Sequence, residues 1–140
     1  MTPTLFKGNI HTDIRGSLYY NNSFNTSIIK RIYFIENMDT NIIRGWQGHK
    51  IEQRWFSAVK GSFRIKLIKI DDWLFPSVEL ECEEILIESK ELDVLHVPKG
   101  YVSSIQSIEE DSRLLVIADY LLEEIEDEYR FDLNYFVNQS

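Results

Sequence analysis

Apolar and polar residues alternate along most of this chain with the period of two that marks a β-strand half buried in a sheet. Branched and aromatic side chains carry the alternation over residues 17–20, 28–35, 54–59, 62–70, 84–88, 92–97 and 112–118. Between these runs lie turn formers: Asp13-Ile14-Arg15-Gly16, Asn37-Met38-Asp39-Thr40-Asn41, Lys60-Gly61-Ser62, Asp71-Asp72 and Pro98-Lys99-Gly100. Their glycines, proline and short polar side chains interrupt extended backbone. Seven or more short strands at this spacing predict an all-β, antiparallel sandwich or barrel, of which the jelly roll is one form. Residues 121–129 follow a different pattern. Leu121, Leu122 and Ile125 oppose Glu123, Glu124, Glu126, Asp127 and Glu128, which predicts one short C-terminal helix closing the barrel end or covering a sheet edge. Its acidic face is of the kind that water solvates.

A chain of 140 residues, 44% of them hydrophobic, can bury one sizeable core, so a single domain spanning 1–140 is expected. No repeat, low-complexity tract or Pro/Gly/Ser-rich linker divides it. The formal net charge of −8 repels polyanions, and no lysine or arginine cluster offsets it locally, which argues against nucleic acid or an anionic membrane as partner. Cys82 stands alone, so the chain can form no internal disulfide and no cysteine-based metal site, as suits a reducing compartment. Met1-Thr2-Pro3-Thr4-Leu5 lacks the basic and apolar regions of a signal peptide, and no apolar run approaches a membrane span. A cytoplasmic location is expected.

Candidate chemistry concentrates in Arg44-Gly45-Trp46-Gln47-Gly48-His49-Lys50. It pairs an arginine, whose planar fork can bind phosphate oxygens two at a time, with a histidine at a strand end. Other chemistries find little footing. There is no P-loop, no Rossmann glycine fingerprint, no Gly-x-Ser-x-Gly and no cysteine–histidine signature. Glu79, Glu81 and Glu83 alternate onto one sheet face, where solvation is the simpler reading.

Three blocks in register resemble the cupin 3,4-ketoisomerases acting on dTDP-4-keto-6-deoxyglucose: Asp13-Ile14-Arg15-Gly16-Ser17-Leu18, Ile29-Lys30-Arg31-Ile32-Tyr33-Phe34-Ile35 and the Arg44 to Lys50 motif. Val97-Pro98-Lys99-Gly100-Tyr101 and Val116-Ile117-Ala118-Asp119-Tyr120 are similar to late strands of those isomerases and of the dTDP-4-dehydrorhamnose 3,5-epimerases. The resemblance implies a jelly-roll (cupin) barrel, a homodimer with strands exchanged or packed across its interface, and a nucleoside-diphosphate 4-keto sugar as substrate in surface polysaccharide synthesis. It implies no redox cofactor, because the chemistry is removal and return of a proton beside a ketone.

The resemblance also assigns roles. Where the family motif Arg-Gly-x-His-x-His has its first histidine, this chain has Gln47, and the second is His49. A glutamine amide can hydrogen-bond a sugar but cannot take a proton, so His49 is the expected base and Gln47 an orienting group. The catalytic lysine of the epimerases aligns with Arg54, a permanent cation suited to a developing enolate oxygen. Ser103 stands where the family has a later histidine, and Val116 where the epimerases have a tyrosine. Arg15 and Arg44 match diphosphate-contacting positions. Trp46, Trp55, Tyr33 and Phe34 could stack on a base or sugar, with Lys50 and Arg31 as secondary contacts. Metal-dependent cupins carry their four ligands where this chain reads Gln47, His49, Arg54 and Ser103, so no metal is expected. His11 and His96 read as exposed or structural. Two rivals stay open: a non-catalytic nucleotide-sugar-binding or regulatory cupin, motivated by Gln47, Ser103 and Val116, and a metal-dependent dioxygenase or small-molecule cupin.

Overall fold

The computed structural model describes residues 1–139. In chain order its strands are β1 (Thr4–Phe6), β2 (Asn9–Asp13), β3 (Gly16–Tyr20), β4 (Arg31–Ile35), β5 (Ile43–His49), β6 (Arg54–Lys60), β7 (Ser62–Lys69), β8 (Glu83–Glu88), β9 (Val94–Val97), β10 (Tyr101–Ser107), β11 (Arg113–Ala118) and β12 (Tyr129–Arg130). One five-stranded sheet runs β1-β9-β6-β11-β4 and the other β12-β5-β10-β7-β8, with β2 and β3 forming a separate hairpin. The fold is all-β, and its sheets are antiparallel like a jelly roll's. Every strand predicted from alternation is present. The run over 28–35 starts as a strand only at Arg31, because the Ile29 amide turns back onto the Thr26 carbonyl.

The two sheets face each other across Phe56, Phe63, Ile65, Leu67, Ile87, Leu95, Leu114 and Val116, all nearly inaccessible to water. Burying side chains of this size stabilises by roughly 1.5–3 kcal/mol each. A second cluster of Trp46, Ile68, Ile70, Val102 and Phe136 lies on the outer face of the β5 sheet, under the C-terminal segment. Val116 is fully buried in the main core. No helix among the described residues is long and apolar enough to cross a membrane.

Strand β5 is irregular in its pairing with β10. His49, Gly48 and Gln47 pair with Tyr101, Val102 and Ser103, but Arg44 pairs with Ile105, so Gly45 and Trp46 together oppose Ser104 alone. This is a bulge of one extra residue. Gly45 is required there, since a Cβ would come within 2.8 Å of the Ser104 Cβ.

The expected C-terminal helix is corrected. Residues 121–128 run irregularly through a turn and a bend before β12, and Glu123 has φ 66°. A helix needs a surface for its apolar face, because one so short is marginal by itself. Leu121 and Leu122 remain exposed instead. The segment is tied down through polar atoms. The buried Asp127 carboxylate accepts from the amides of Lys50, Ile51 and Glu52 at 2.9, 2.9 and 2.7 Å. Lys30 pairs with Glu124 at 3.0 Å, and Tyr129 pairs with Gly48. The result is a strap across one end of the barrel.

Candidate active site

Beneath that strap a cavity of about 190 Å³ opens between the sheets, beside an outer chamber of about 470 Å³. Alternation supplies the inner walls: Arg31, Tyr33 and Ile35 from β4, Arg54 and Phe56 from β6, and Tyr101, Ser103 and Ile105 from β10. From β5 come Gln47, His49 and also Arg44, although Arg44 is three residues from Gln47. Strict alternation would point it outward. The bulge at Gly45 and Trp46 shifts the phase by one residue and brings Arg44 inside.

His49 has a side chain only 12% exposed, and its Nδ1 lies 2.9 Å from the main-chain carbonyl oxygen of Asp127. A carbonyl can only accept, so Nδ1 carries the proton and Nε2 keeps the lone pair. Burial pushes the imidazole pKa below its ordinary value. The Arg54 cation pushes it further down, while Glu52 and Asp127 oppose. The site thus holds a neutral histidine of defined tautomer, a suitable general base near neutral pH.

Around it the charges are ordered. Arg54 donates to Glu52 through Nε at 2.7 Å and forms an ion pair through Nη2 at 2.6 Å, and its Nη1 contacts the Tyr33 hydroxyl. Arg31 stacks over the Tyr33 ring at 4.6 Å. With Arg44 and Arg130, four guanidinium groups line the cavity against one lining acid among the described residues, Glu52. The Gln47 amide donates to Glu128 on the strap, and Glu128 also accepts from Arg130 at 3.1 Å. Anions fit this chamber better than cations, and among the described residues no three His, Cys, Asp or Glu side chains are grouped to hold a metal ion.

The family model described as FdtA: WxcM-like, C-terminal matches residues 2–140. The chain belongs to that family. Among solved structures, this FdtA-family protein is similar to the 3,4-ketoisomerase QdtA from Thermoanaerobacterium thermosaccharolyticum, crystallised as a mutant with TDP-4-keto-6-deoxyglucose. The identity is 25%, over 93% of this chain and 88% of that one, with a TM-score of 0.72. It shares its fold with the WlaRB TDP-quinovose 3,4-ketoisomerase from Campylobacter jejuni, at 22% identity, 92% of each chain and TM-score 0.69. The rmlC epimerase of Mycobacterium tuberculosis has that fold too, at 13% identity, 98% of this chain, 74% of that one and TM-score 0.74. No curated protein matches the sequence.

Of the residues singled out in the sequence, the family member's cavity brings together His49, Gln47, Arg54, Arg44, Tyr33, Ser103 and Arg31. The others lie elsewhere. Trp46 is 1% exposed and packs edge-on against Phe136 in the outer cluster, because it alternates with the inward Gln47 and His49. Lys50 is an exposed residue of the turn after β5 and lends only its amide to Asp127. Arg15 caps the β2–β3 hairpin with a side chain 85% exposed, paired to Asp13 at 2.7 Å. Trp55 stacks on His96 at 5.0 Å in a separate cluster, and Phe34 is exposed on the outer face of β4. His96 is a buried structural residue bonded to Gln53 at 2.7 Å; His11 sits exposed beside Asp13. Glu52, Asp127, Glu128 and Arg130 were missed as site groups. The spacing of Glu52 and Arg54, two apart at a strand entrance, was the one available signal.

Proposed function

We propose that this protein is a metal-independent isomerase or epimerase of a nucleoside-diphosphate 4-keto-6-deoxy sugar, acting in the cytoplasm in the synthesis of surface polysaccharide sugars. The observation that carries the reading is a buried histidine of fixed tautomer, with its basic nitrogen unprotonated, in a chamber lined by four arginines. His49 removes the proton beside the ketone. The electron pair passes to the carbonyl oxygen, where Arg54 offers a permanent positive charge; the proton then returns to the other face of the same carbon, or, once the hydroxyl proton has moved from one enediol oxygen to the other, to the former carbonyl carbon. Arg44 takes the diphosphate, and Gln47 and Ser103 orient the sugar. The family match and the likeness to QdtA support TDP as the nucleotide.

The chain acts as a single domain and as a homodimer in this reading. Arg15 serves the diphosphate only if a second copy brings its hairpin to the cavity. Ile14, Leu18 and Tyr19, exposed on that hairpin, suit such packing. The test is to incubate the protein with dTDP-4-keto-6-deoxyglucose in deuterated water and follow the sugar protons by NMR. Loss of the C3 proton is expected, and C5 exchange alongside it would mark a 3,5-epimerase. Saturable nucleotide binding with no exchange at either carbon would overturn the enzymatic reading and leave a binding module.

A further inference from the structure

Glu52 has no role in the reaction as drawn so far, yet its position is unusual. It is the one acidic side chain among the described residues lining the inner cavity, and it is 7% exposed. A single oxygen, Oε2, lies 2.6 Å from Arg54 Nη2, 2.7 Å from Arg54 Nε and 3.4 Å from His49 Nδ1. A buried carboxylate is costly unless its charge is matched by geometry of this quality. Arg54 is in turn fixed on its far side by the Tyr33 hydroxyl.

We infer that Glu52 is the positioning residue of the proton-transfer step: it holds Arg54 at the cavity wall and supplies the counter-charge next to His49 when the imidazole becomes cationic. This rests on the reading above. As His49 Nε2 takes the proton from the carbon beside the ketone, the C–H electron pair forms a C=C bond and the carbonyl π pair moves to oxygen. His49 goes from neutral to positive and the sugar from neutral to negative.

Without Glu52, the new imidazolium would face Arg54 unbalanced inside a chamber of guanidinium groups. With it, one carboxylate lies between the two cations. Other charged or titratable groups at His49 are Asp127, whose carbonyl holds Nδ1 and whose carboxylate is occupied by three amides, with Arg31, Tyr101 and Glu128 along the walls of the two chambers. Glu52 is the carboxylate whose oxygen reaches both Arg54 and the His49 ring.

The test reads His49 directly, independently of turnover. Its imidazole is titrated by carbon and nitrogen NMR in the unaltered protein, in Glu52→Gln and in Arg54→Gln, with His49→Asn used for assignment. Glu52→Gln should move the His49 midpoint down and Arg54→Gln should move it up, with the Nδ1–H tautomer kept in both. In the exchange assay Glu52→Gln should slow C3 exchange about ten-fold or more at saturating substrate with a smaller change in KM, and Glu52→Asp should recover part of the rate. An unchanged His49 midpoint in both Gln variants overturns the inference. Should Glu52→Gln not fold, an unchanged midpoint in Glu52→Asp and Arg54→Gln does the same. If the midpoints move as expected but the unaltered protein exchanges no sugar proton, the proposed reaction fails while the charge arrangement around His49 stands.

Discussion

An imidazole with Nδ1 bonded to a main-chain carbonyl has only one nitrogen left to offer, and at His49 that nitrogen is the basic one. The direction of its pKa shift fixes the pH dependence. Because burial and Arg54 hold the folded value below the ordinary value of about 6.5, C3 exchange should stay level as pH falls to 6.5 and decline only below it. Stability follows the same group. The unfolded chain takes up this proton at a higher pH than the folded one, so the stabilising contribution is full above about 6.5 and is lost as pH falls from there through the folded value. Urea midpoints across pH 5–8 should therefore show a slope that His49→Asn reduces without abolishing, since burial also depresses His96. The same substitution should cut turnover by about 100-fold or more while nucleotide binding persists.

At the scale of elements, the strap governs the site. Asp127 satisfies three amides of the turn after β5 and, through its carbonyl, sets the His49 tautomer. Asp127→Ala leaves those donors without their partner and should cost about 3 kcal/mol in urea unfolding. Exchange activity should fall further than the fraction unfolded explains. None of this was legible in the sequence, where Asp127 is one acid among several and the local period reads as a helix. Polar contacts to distant amides do not repeat along a chain, so no pattern announces them. The regular strands were legible because branched and aromatic side chains alternate in them. β10 was not read as a strand, since Ser104 and Ser107 stand at buried positions and blur its polarity. In the site, Tyr33 and Arg54 lie in strands that alternation marks, whereas Ser103 was matched by resemblance alone, Glu52 lies in the turn before β6 and Arg130 in β12, a strand of two residues too short to show a period.

For the whole molecule, an acidic surface surrounds a basic chamber. The net charge of −8 leaves anion recognition to local geometry, so salt should weaken nucleotide binding through the four arginines. Large apolar side chains are exposed in several places, among them Ile32 and Phe34, 66% and 57% exposed on the outer side of β4, and Leu18 on the hairpin at 62%. A homodimer is expected to cover at least the hairpin. Sedimentation equilibrium should give twice the chain mass, and Leu18→Asp should shift the population toward monomer while leaving the His49 tautomer intact; a monomeric unaltered protein would count against a role for Arg15. Finally, the extra residue in β5 is a matter of parity. If β5 ran against β10 as a regular ladder with the same number of residues, His49 would stay inside and Arg44, three positions from Gln47, would turn to the outer face. Arg44 and His49 are thus held on one wall by the slip in the ladder, and a one-codon deletion between Arg44 and Gln47 would remove the slip while leaving both side chains, by ordinary alternation, on that wall.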